Sequence, residues 1–200
     1  MIATYTLYTP IQEEDIRKLR VNDVIYITGT MVTARDQAHR RAIEWRKDER
    51  PLPFSLEGLV VFHCGPVIRK QDEKWVAIAA GPTTSTRMEA YTDEIINAFK
   101  PRVIVGKGGM GKRTADAMAK QGAVYCAFTG GAAVLATKAI RRVVDVQWLD
   151  LGMPEATWIF EVEQFGPLIV AIDSTGKNLF ADVCEKVKAN KKQIYQKLDL

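Results

Sequence analysis

Short apolar runs alternate along the chain with stretches in which apolar residues recur every three or four positions. The runs are typical of strands, and the three-to-four spacing is typical of one face of a helix. Strands are predicted at residues 2–8, 24–33, 58–63, 75–80, 102–105, 123–128, 143–149, 158–162 and 168–172. Helices are predicted at residues 12–19, 34–47, 88–99, 132–140 and 179–198, and one more after the glycine-rich turn at 106–111.

The order of these elements indicates the fold class. Strands and helices alternate through the middle of the chain, which is the arrangement of parallel strand–helix units. Near the C-terminus, the strands at 158–162 and 168–172 flank Phe165-Gly166-Pro167, which predicts a hairpin. We therefore predict one α/β domain over residues 1–200, with a partly parallel central sheet to which the N-terminal third adds further strands.

Composition and charge exclude several classes of protein. The 200 residues are 47% hydrophobic and 26% charged, as in an ordinary globular domain. A net charge of +4 is too small to indicate a nucleic-acid partner. No run of about 18 apolar residues is present, and the first residues lack the apolar segment of a signal peptide, so we expect a cytoplasmic protein without membrane contact.

The cysteines do not form a recognisable ligand set. Cys64, Cys126 and Cys184 are widely separated, and the chain contains no CxxC pair. The sequence therefore predicts neither a disulfide framework nor a zinc or iron–sulfur motif within this chain.

One strand-to-helix junction carries several hydroxyl groups. Gly81-Pro82 ends the apolar run at 75–80, and the polar residues that follow are Thr83, Thr84, Ser85 and Arg87. Hydroxyls and a guanidinium at a helix N-terminus suit a carboxylate or a phosphate. The same hydroxyls also suit simple helix capping, with Arg87 as a solvated surface charge, and the local sequence favours neither interpretation.

A second junction is the glycine-rich segment at residues 106–111. Its glycines match GxGxxG, but no acidic residue follows at the position, about twenty residues later, where a dinucleotide ribose needs one. The segment also matches most of a phosphate-binding P-loop, yet Arg113 occupies the Ser/Thr position that would hold magnesium. A third interpretation is that the glycines let backbone N–H groups and Lys107 approach a small anion.

A third junction contains Arg35 in the first turn of a predicted helix, where a positive charge opposes the helix dipole. This suggests a binding function for Arg35, although an exposed arginine at such a position is also common. His39 follows one turn later on the same face. It is either a packing residue or one that positions a ligand or Asp36.

Arg35, Arg87 and Lys107 each come just after a predicted strand, at the edge where open α/β sheets bind ligands. Two guanidinium groups and one ammonium group match a small dicarboxylate. A complete acid–base set is missing from the chain, which indicates that a second chain completes the site.

The segments around these residues resemble the β subunit of two-subunit class I hydro-lyases, a family of iron–sulfur fumarases and L(+)-tartrate dehydratases. The similar blocks are TGTMVTARDQAHRR (28–41), GPTTSTRME (81–89), GKGGMG (106–111), LGMPEATW (151–158) and FGPLIVAIDSTG (165–176). The resemblance covers almost the whole chain. It implies a single swivelling β/β/α domain, equivalent to the C-terminal domain of single-chain members.

The resemblance also implies roles for the candidate residues. Arg35, Arg87 and Lys107 would bind the substrate carboxylates, with Thr84 and Ser85 beside them. Thr83 matches a threonine proposed as the base, and because a threonine hydroxyl is not acidic at neutral pH, a neighbouring cation such as Lys107 or Arg87 would have to assist it. The resemblance places an Asp of the α subunit as the other proton carrier.

The implied cofactor is a [4Fe-4S] cluster bound by the partner α subunit, which would explain why cluster cysteines are missing here. The cluster would act as a Lewis acid on the substrate, and the implied assembly is α2β2. We predict fumarate hydration to L-malate, with dehydration of L(+)-tartrate to oxaloacetate as the alternative. A non-catalytic anion- or nucleotide-binding regulatory module is the alternative from another functional class.

Overall fold

The structure is a computed structural model that describes residues 2–198, apart from the side chains of residues 192 and 193. Its strands are β1 Thr4–Tyr8, β2 Val24–Thr33, β3 Val60–Phe62, β4 Val67–Gln71, β5 Lys74–Ala79, β6 Val103–Gly106, β7 Val124–Ala127, β8 Ile140–Gln147 and β9 Thr157–Ile172. Its helices are α1 Glu13–Lys18, α2 Asp36–Lys47, α3 Glu89–Phe99, α4 Lys112–Gln121, α5 Ala133–Thr137 and α6 Leu179–Lys197. Single 3₁₀ turns are found at Ser85–Met88 and Leu149–Leu151.

Seven of these strands form one sheet in the order β1-β2-β3-β6-β7-β9-β8. Strands β1, β2, β3, β6 and β7 are parallel, and β9 is antiparallel to β2, β7 and β8. Because β9 pairs with both β2 and β7, it closes β2, β3, β6, β7 and β9 into a barrel. The prediction of an α/β fold with a partly parallel central sheet is confirmed, and the sheet is mainly parallel.

The two faces of the barrel strands belong to two different apolar cores, as the alternation of side chains along a strand requires. One core fills the barrel and includes Met31, Phe62, Val105, Cys126 and Phe160. The other lies under α2, α3 and α4 and includes Val32, Val61, Ile104 and Tyr125. Tyr125 therefore points out of the barrel, toward the helix layer.

Strand β5 confirms the strand predicted at residues 75–80, but it is not part of the main sheet, at whose edge Arg87 was expected to follow it. It pairs with β4 in a separate two-stranded antiparallel sheet, and its residues alternate between exposed and half-buried. The sequence did not predict β4 because most of its residues are charged or polar and exposed. Arg87 therefore does not follow a strand of the main sheet.

The predicted hairpin near the C-terminus is also wrong, because β9 continues without a turn through Phe165-Gly166-Pro167. The pairing of β9 with β2 shifts register between Ile25 and Ile27, whose partners are Leu168 and Phe165. Proline is tolerated in a strand at such an irregularity because no ladder N–H is required of it there.

Two helices also differ from expectation. Helix α5 ends at Thr137, well before the predicted residue 140, because Ile140 already begins β8. The apolar residues of α6 that the pattern placed on one face, among them Val183, Val187 and Ile194, are exposed and not packed against the domain. No helix within the described residues is long and apolar enough to cross a membrane.

Candidate active site

The candidate residues meet at the carboxyl edge of the parallel strands. Arg35 follows β2, and Lys107 comes directly after β6. The loop after β5 returns to this edge: the N–H of Thr83 donates to the carbonyl of His63, just past β3, at 2.6 Å. Cys64 and Pro82 form the next bridge. Loop residues 80–88 thus reach the edge although β5 itself lies elsewhere.

Residues 83–85 pair with Lys107 as in a parallel sheet. We call this short pair of hydrogen bonds the edge ladder. The N–H of Lys107 donates to the carbonyl of Thr83 at 3.2 Å, and the N–H of Ser85 donates to the carbonyl of Lys107 at 2.9 Å. The pairing sets Thr84 opposite Lys107, and both are exposed. The side chain of Lys107 lies over Gly130, where a Cβ would be 3.5 Å from the lysine Cδ.

The hydroxyls of Thr83 and Thr84 do not act as helix caps. Thr84 precedes the 3₁₀ turn and Met88 precedes α3, and neither position provides a side-chain capping bond. Within the described residues, neither threonine hydroxyl makes a hydrogen bond. The capping interpretation therefore loses its support, and both hydroxyls remain available to a ligand.

Arg35 and Arg87 are brought together by the carboxylate of Asp36. Nη2 of Arg87 lies 2.7 Å from Asp36 Oδ2, and Nη2 of Arg35 lies 4.0 Å from the same oxygen. Nη2 of Arg35 also lies 3.2 Å from Oε1 of Glu155, whose other oxygen accepts from the N–H of Gln37 in the first turn of α2 at 2.9 Å. Glu155 thereby offsets the unfavourable charge of Arg35 at this helix N-terminus.

Both histidines are buried behind this edge. Nδ1 of His39 donates to the carbonyl of Arg35 at 2.8 Å, because a carbonyl can only accept. The rings of His39 and His63 contact edge to face at 5.1 Å. Burial lowers the pKa of both imidazoles, and for His63 the neighbouring His39 lowers the pKa further. His39 is thus a packing residue that holds the Arg35 backbone, and it does not bond Asp36.

Ser85 faces inward, unlike its neighbour Thr84. Its side chain is fully buried, and its Oγ lies 2.9 Å from Nδ1 of His63 and 3.1 Å from the hydroxyl of Tyr125. A Cβ at Gly106 would overlap the Ser85 hydroxyl, so this position has to be glycine. No local pattern pointed to His63, which follows β3, or to Tyr125, which lies on β7, because both are distant from Ser85 in the sequence.

The glycine-rich segment leads into the N-terminus of α4, whose donors already bind a carboxylate of this chain. The carboxylate of Glu89 accepts from the N–H of Gly111 at 2.7 Å, the N–H of Thr114 at 3.3 Å and the hydroxyl of Thr114 at 2.8 Å. A phosphate would need the same donors at the start of α4. This contact disfavours both nucleotide interpretations of residues 106–111.

Replacing Glu89 with alanine is expected to lower the free energy of unfolding by about 1–2 kcal/mol, because α4 loses its cap. Chemical denaturation of the purified chain measures the change. Glu94→Ala on the same helix is the matched control, since the Glu94 carboxylate has no hydrogen bond or ion pair within the described residues. Equal stability of the two variants would contradict the capping role of Glu89.

A family model described as "Fumarase C-terminus" matches residues 3–183. The chain belongs to this fumarase C-terminus family. It is 48% identical over 176 residues to the L(+)-tartrate dehydratase subunit beta of Escherichia coli (strain K12), which covers 88% of this chain and 86% of the relative. It is 43% identical over 181 residues to the putative L(+)-tartrate dehydratase subunit beta of Methanocaldococcus jannaschii, with 90% and 93% covered.

A third member of the fumarase C-terminus family has a longer chain. The putative fumarate hydratase class I of Geobacillus stearothermophilus is 41% identical over 179 residues, which are 89% of this chain and 34% of that relative. These relatives confirm the resemblance to the β subunits of class I fumarases and tartrate dehydratases. All five sequence blocks that carried the resemblance lie within the matched residues.

The cysteines of this family member do not fit an iron–sulfur cluster. Cys64 and Cys126 are buried, and burial raises the pKa of both thiols, whereas a metal needs the thiolate. Cys184 is exposed on α6. Across residues 2–198, no three His, Cys, Asp or Glu side chains come close enough together to hold a metal ion.

Proposed function

We propose that this chain is the β subunit of an iron–sulfur hydro-lyase that acts on a four-carbon dicarboxylate. The observation that carries the proposal is the edge ladder, which sets Thr84 opposite Lys107 beside the linked pair of Arg35 and Arg87. Three cationic groups with free hydroxyls between them suit a substrate that has a carboxylate at each end.

The proposed substrate is L(+)-tartrate, which would be dehydrated to oxaloacetate. Two relatives named as tartrate dehydratase β subunits, at 48% and 43% identity, each align over most of their length. This favours tartrate over fumarate, the substrate first expected from the sequence. Fumarate hydration to L-malate remains the second candidate, because a relative named as a putative class I fumarate hydratase is 41% identical.

The residues of this chain would bind and orient the substrate. Lys107 is a compact ammonium on an exposed turn, and Thr84 lies directly opposite as a hydrogen-bond donor to the same carboxylate. Arg87 is half exposed and uses Nη2 on Asp36, which leaves further donors of its planar fork for the second carboxylate. Arg35 is less exposed, and its contact with Glu155 fixes its orientation.

Thr83 is the proposed proton carrier of this chain. It is half-buried next to the cationic edge, and its hydroxyl is not committed to another group in the described part of the chain. A nearby positive charge lowers the cost of forming an alkoxide, so Lys107 would assist Thr83. The other proton carrier is proposed to be an Asp of the α subunit.

The proposed assembly is α2β2, with the [4Fe-4S] cluster held by the α subunit. Residues 1–200 would act as one domain that swivels against the α subunit to open and close the site. The proposed setting is the cytoplasm, with neither nucleic acid nor membrane as a partner.

The purified chain alone is expected to be inactive and to lack iron–sulfur absorbance, whereas the complex with its α subunit should dehydrate L(+)-tartrate. Anaerobic copurification, an absorption spectrum and assays with tartrate, fumarate and L-malate test this. Preference for fumarate or malate would select the second candidate. Activity of the isolated chain, or no turnover of any of the three by an iron-loaded complex, would contradict the proposal.

A further inference from the structure

Directly beneath the edge ladder lies a buried chain of three polar side chains, which we call the anchor triad: His63, Ser85 and Tyr125. Nδ1 of His63 lies 2.9 Å from Ser85 Oγ, which lies 3.1 Å from the Tyr125 hydroxyl. That hydroxyl lies 2.9 Å from the carbonyl of Gly108. All three residues are fully buried.

The donor and the acceptor of each hydrogen bond in the triad follow from which groups carry a proton to donate. The Gly108 carbonyl only accepts, so the single proton of Tyr125 goes to it. Ser85 then donates to the Tyr125 oxygen, and Nδ1–H of His63 donates to Ser85. The opposite tautomer of His63 would bury an N–H without a partner and lose one of the three bonds, which makes it the costlier state.

Burial supports the same assignment. It lowers the pKa of His63 well below that of a free imidazole, so the ring is neutral and carries one proton. In the described part of the chain, the Nε2 atom of His63 has no hydrogen-bond partner. Leaving a buried acceptor without a hydrogen-bond partner costs less free energy than leaving a buried donor without one.

The triad holds both sides of the edge ladder at one buried point. Ser85 comes directly after Thr84, and Gly108 comes directly after Lys107. Gly108 has a left-handed φ of +72° and is exposed, so its own packing holds it weakly. The ladder itself consists of two backbone hydrogen bonds between residues 83–85 and Lys107. Besides the triad, these two hydrogen bonds and one from the Thr86 hydroxyl to the Gly109 carbonyl, at 2.7 Å, hold Thr84 against Lys107, and of all these contacts only those of the triad are made by fully buried side chains.

We propose that His63, Ser85 and Tyr125 are positioning residues, which hold the edge ladder in register, and that Ser85 acts through its neighbours without touching the substrate. The expected effect of these residues on turnover rests on the proposed function. Their effect on the structure of the edge ladder does not, because it involves this chain alone. The proposal replaces the sequence-based expectation that Ser85 binds substrate.

Hydrogen exchange tests the effect on the ladder without any activity. Tyr125→Phe keeps the ring and removes the hydroxyl that links Ser85 to Gly108. We expect the amides of Ser85 and Lys107 to exchange about tenfold faster in this variant, while the exchange of the barrel strands stays unchanged. Tyr91→Phe is the matched control, because the Tyr91 hydroxyl has no hydrogen bond within residues 2–198.

Kinetics of the complex with the α subunit test the consequence for turnover. In Tyr125→Phe and in Ser85→Ala, kcat is expected to fall on the order of tenfold or more with little change in KM, because displaced groups still bind but are misaligned. Tyr91→Phe is expected to retain wild-type kcat and KM. A higher KM in Ser85→Ala alone would instead assign Ser85 to substrate binding and overturn the proposal.

Two other results would overturn it. The first is unchanged exchange at Ser85 and Lys107 in Tyr125→Phe, and the second is faster exchange together with wild-type kcat. If the wild-type complex turns over no dicarboxylate, the proposed function fails, and the exchange measurement still decides whether the triad holds the ladder.

Discussion

Lys107→Ala is expected to lower the kcat/KM of the assembled enzyme by about two to three orders of magnitude. Loss of a charged contact to a carboxylate in a closed site costs on the order of 2–5 kcal/mol. The thermal stability of the chain should hardly change, because Lys107 is exposed and has no ion pair within the described residues. Steady-state kinetics of the complex and thermal unfolding of the free chain measure the two quantities.

Lys107→Arg is not expected to restore the activity. The lysine side chain lies over Gly130, and a planar, longer guanidinium does not match the same position as a compact ammonium. Lys112→Ala is the matched control: Lys112 is the first residue of α4, directly after the glycine-rich segment, and its amine is engaged at the surface with Asp116 at 2.7 Å. Near-wild-type turnover of Lys107→Ala would rule out the proposed carboxylate contact. Arg35→Ala is a less clean probe, since it also leaves Glu155 without its ion-pair partner.

Thr83→Val is expected to lower kcat by roughly 10²–10⁴, the contribution of a positioned proton-transfer group. Valine keeps the shape of threonine and removes the hydroxyl, so the melting temperature should stay close to that of the wild type. Thr83→Ser should retain partial activity, and Thr83→Ala should behave like valine. Turnover of the complex and thermal unfolding of each variant are the measurements.

Thr84→Val separates the two adjacent hydroxyls. Thr84 lies opposite Lys107 and is proposed to bind a carboxylate, so its loss should mainly raise KM. If Thr84→Val abolishes turnover while Thr83→Val does not, the proton carrier is Thr84. If neither substitution lowers kcat, the base lies outside this loop.

The regular parts of the fold were predictable because their residues have strong local preferences. Strand β2 matches its predicted bounds, residues 24–33, since the segment is rich in β-branched residues. Arg35 and Lys107 were placed correctly because each follows a parallel strand, and parallel strands end at the same edge. Strand β5 was misplaced because an apolar run does not specify which sheet a strand joins.

The parts of the site that could not be predicted depend on contacts between distant residues. Ser85 begins a 3₁₀ turn before α3, as expected of a residue at a helix start, but residues 83–85 also pair with Lys107, and alternation in that ladder turns Ser85 inward. Its partners His63 and Tyr125 lie 22 and 40 positions away in the sequence. Local spacing carries no signal for such a contact.

Closure of the barrel by β9 has a consequence for synthesis on the ribosome. Strand β2 ends at Thr33, whereas β9, which pairs with most of its length, begins only at Thr157. A nascent chain that stops before β9 leaves one side of β2 without hydrogen-bond partners and the apolar interior of the barrel open to water. Such long-range pairing is slow to form and prone to aggregation beforehand. Chaperones that shield apolar segments during translation should therefore raise the yield of folded chain.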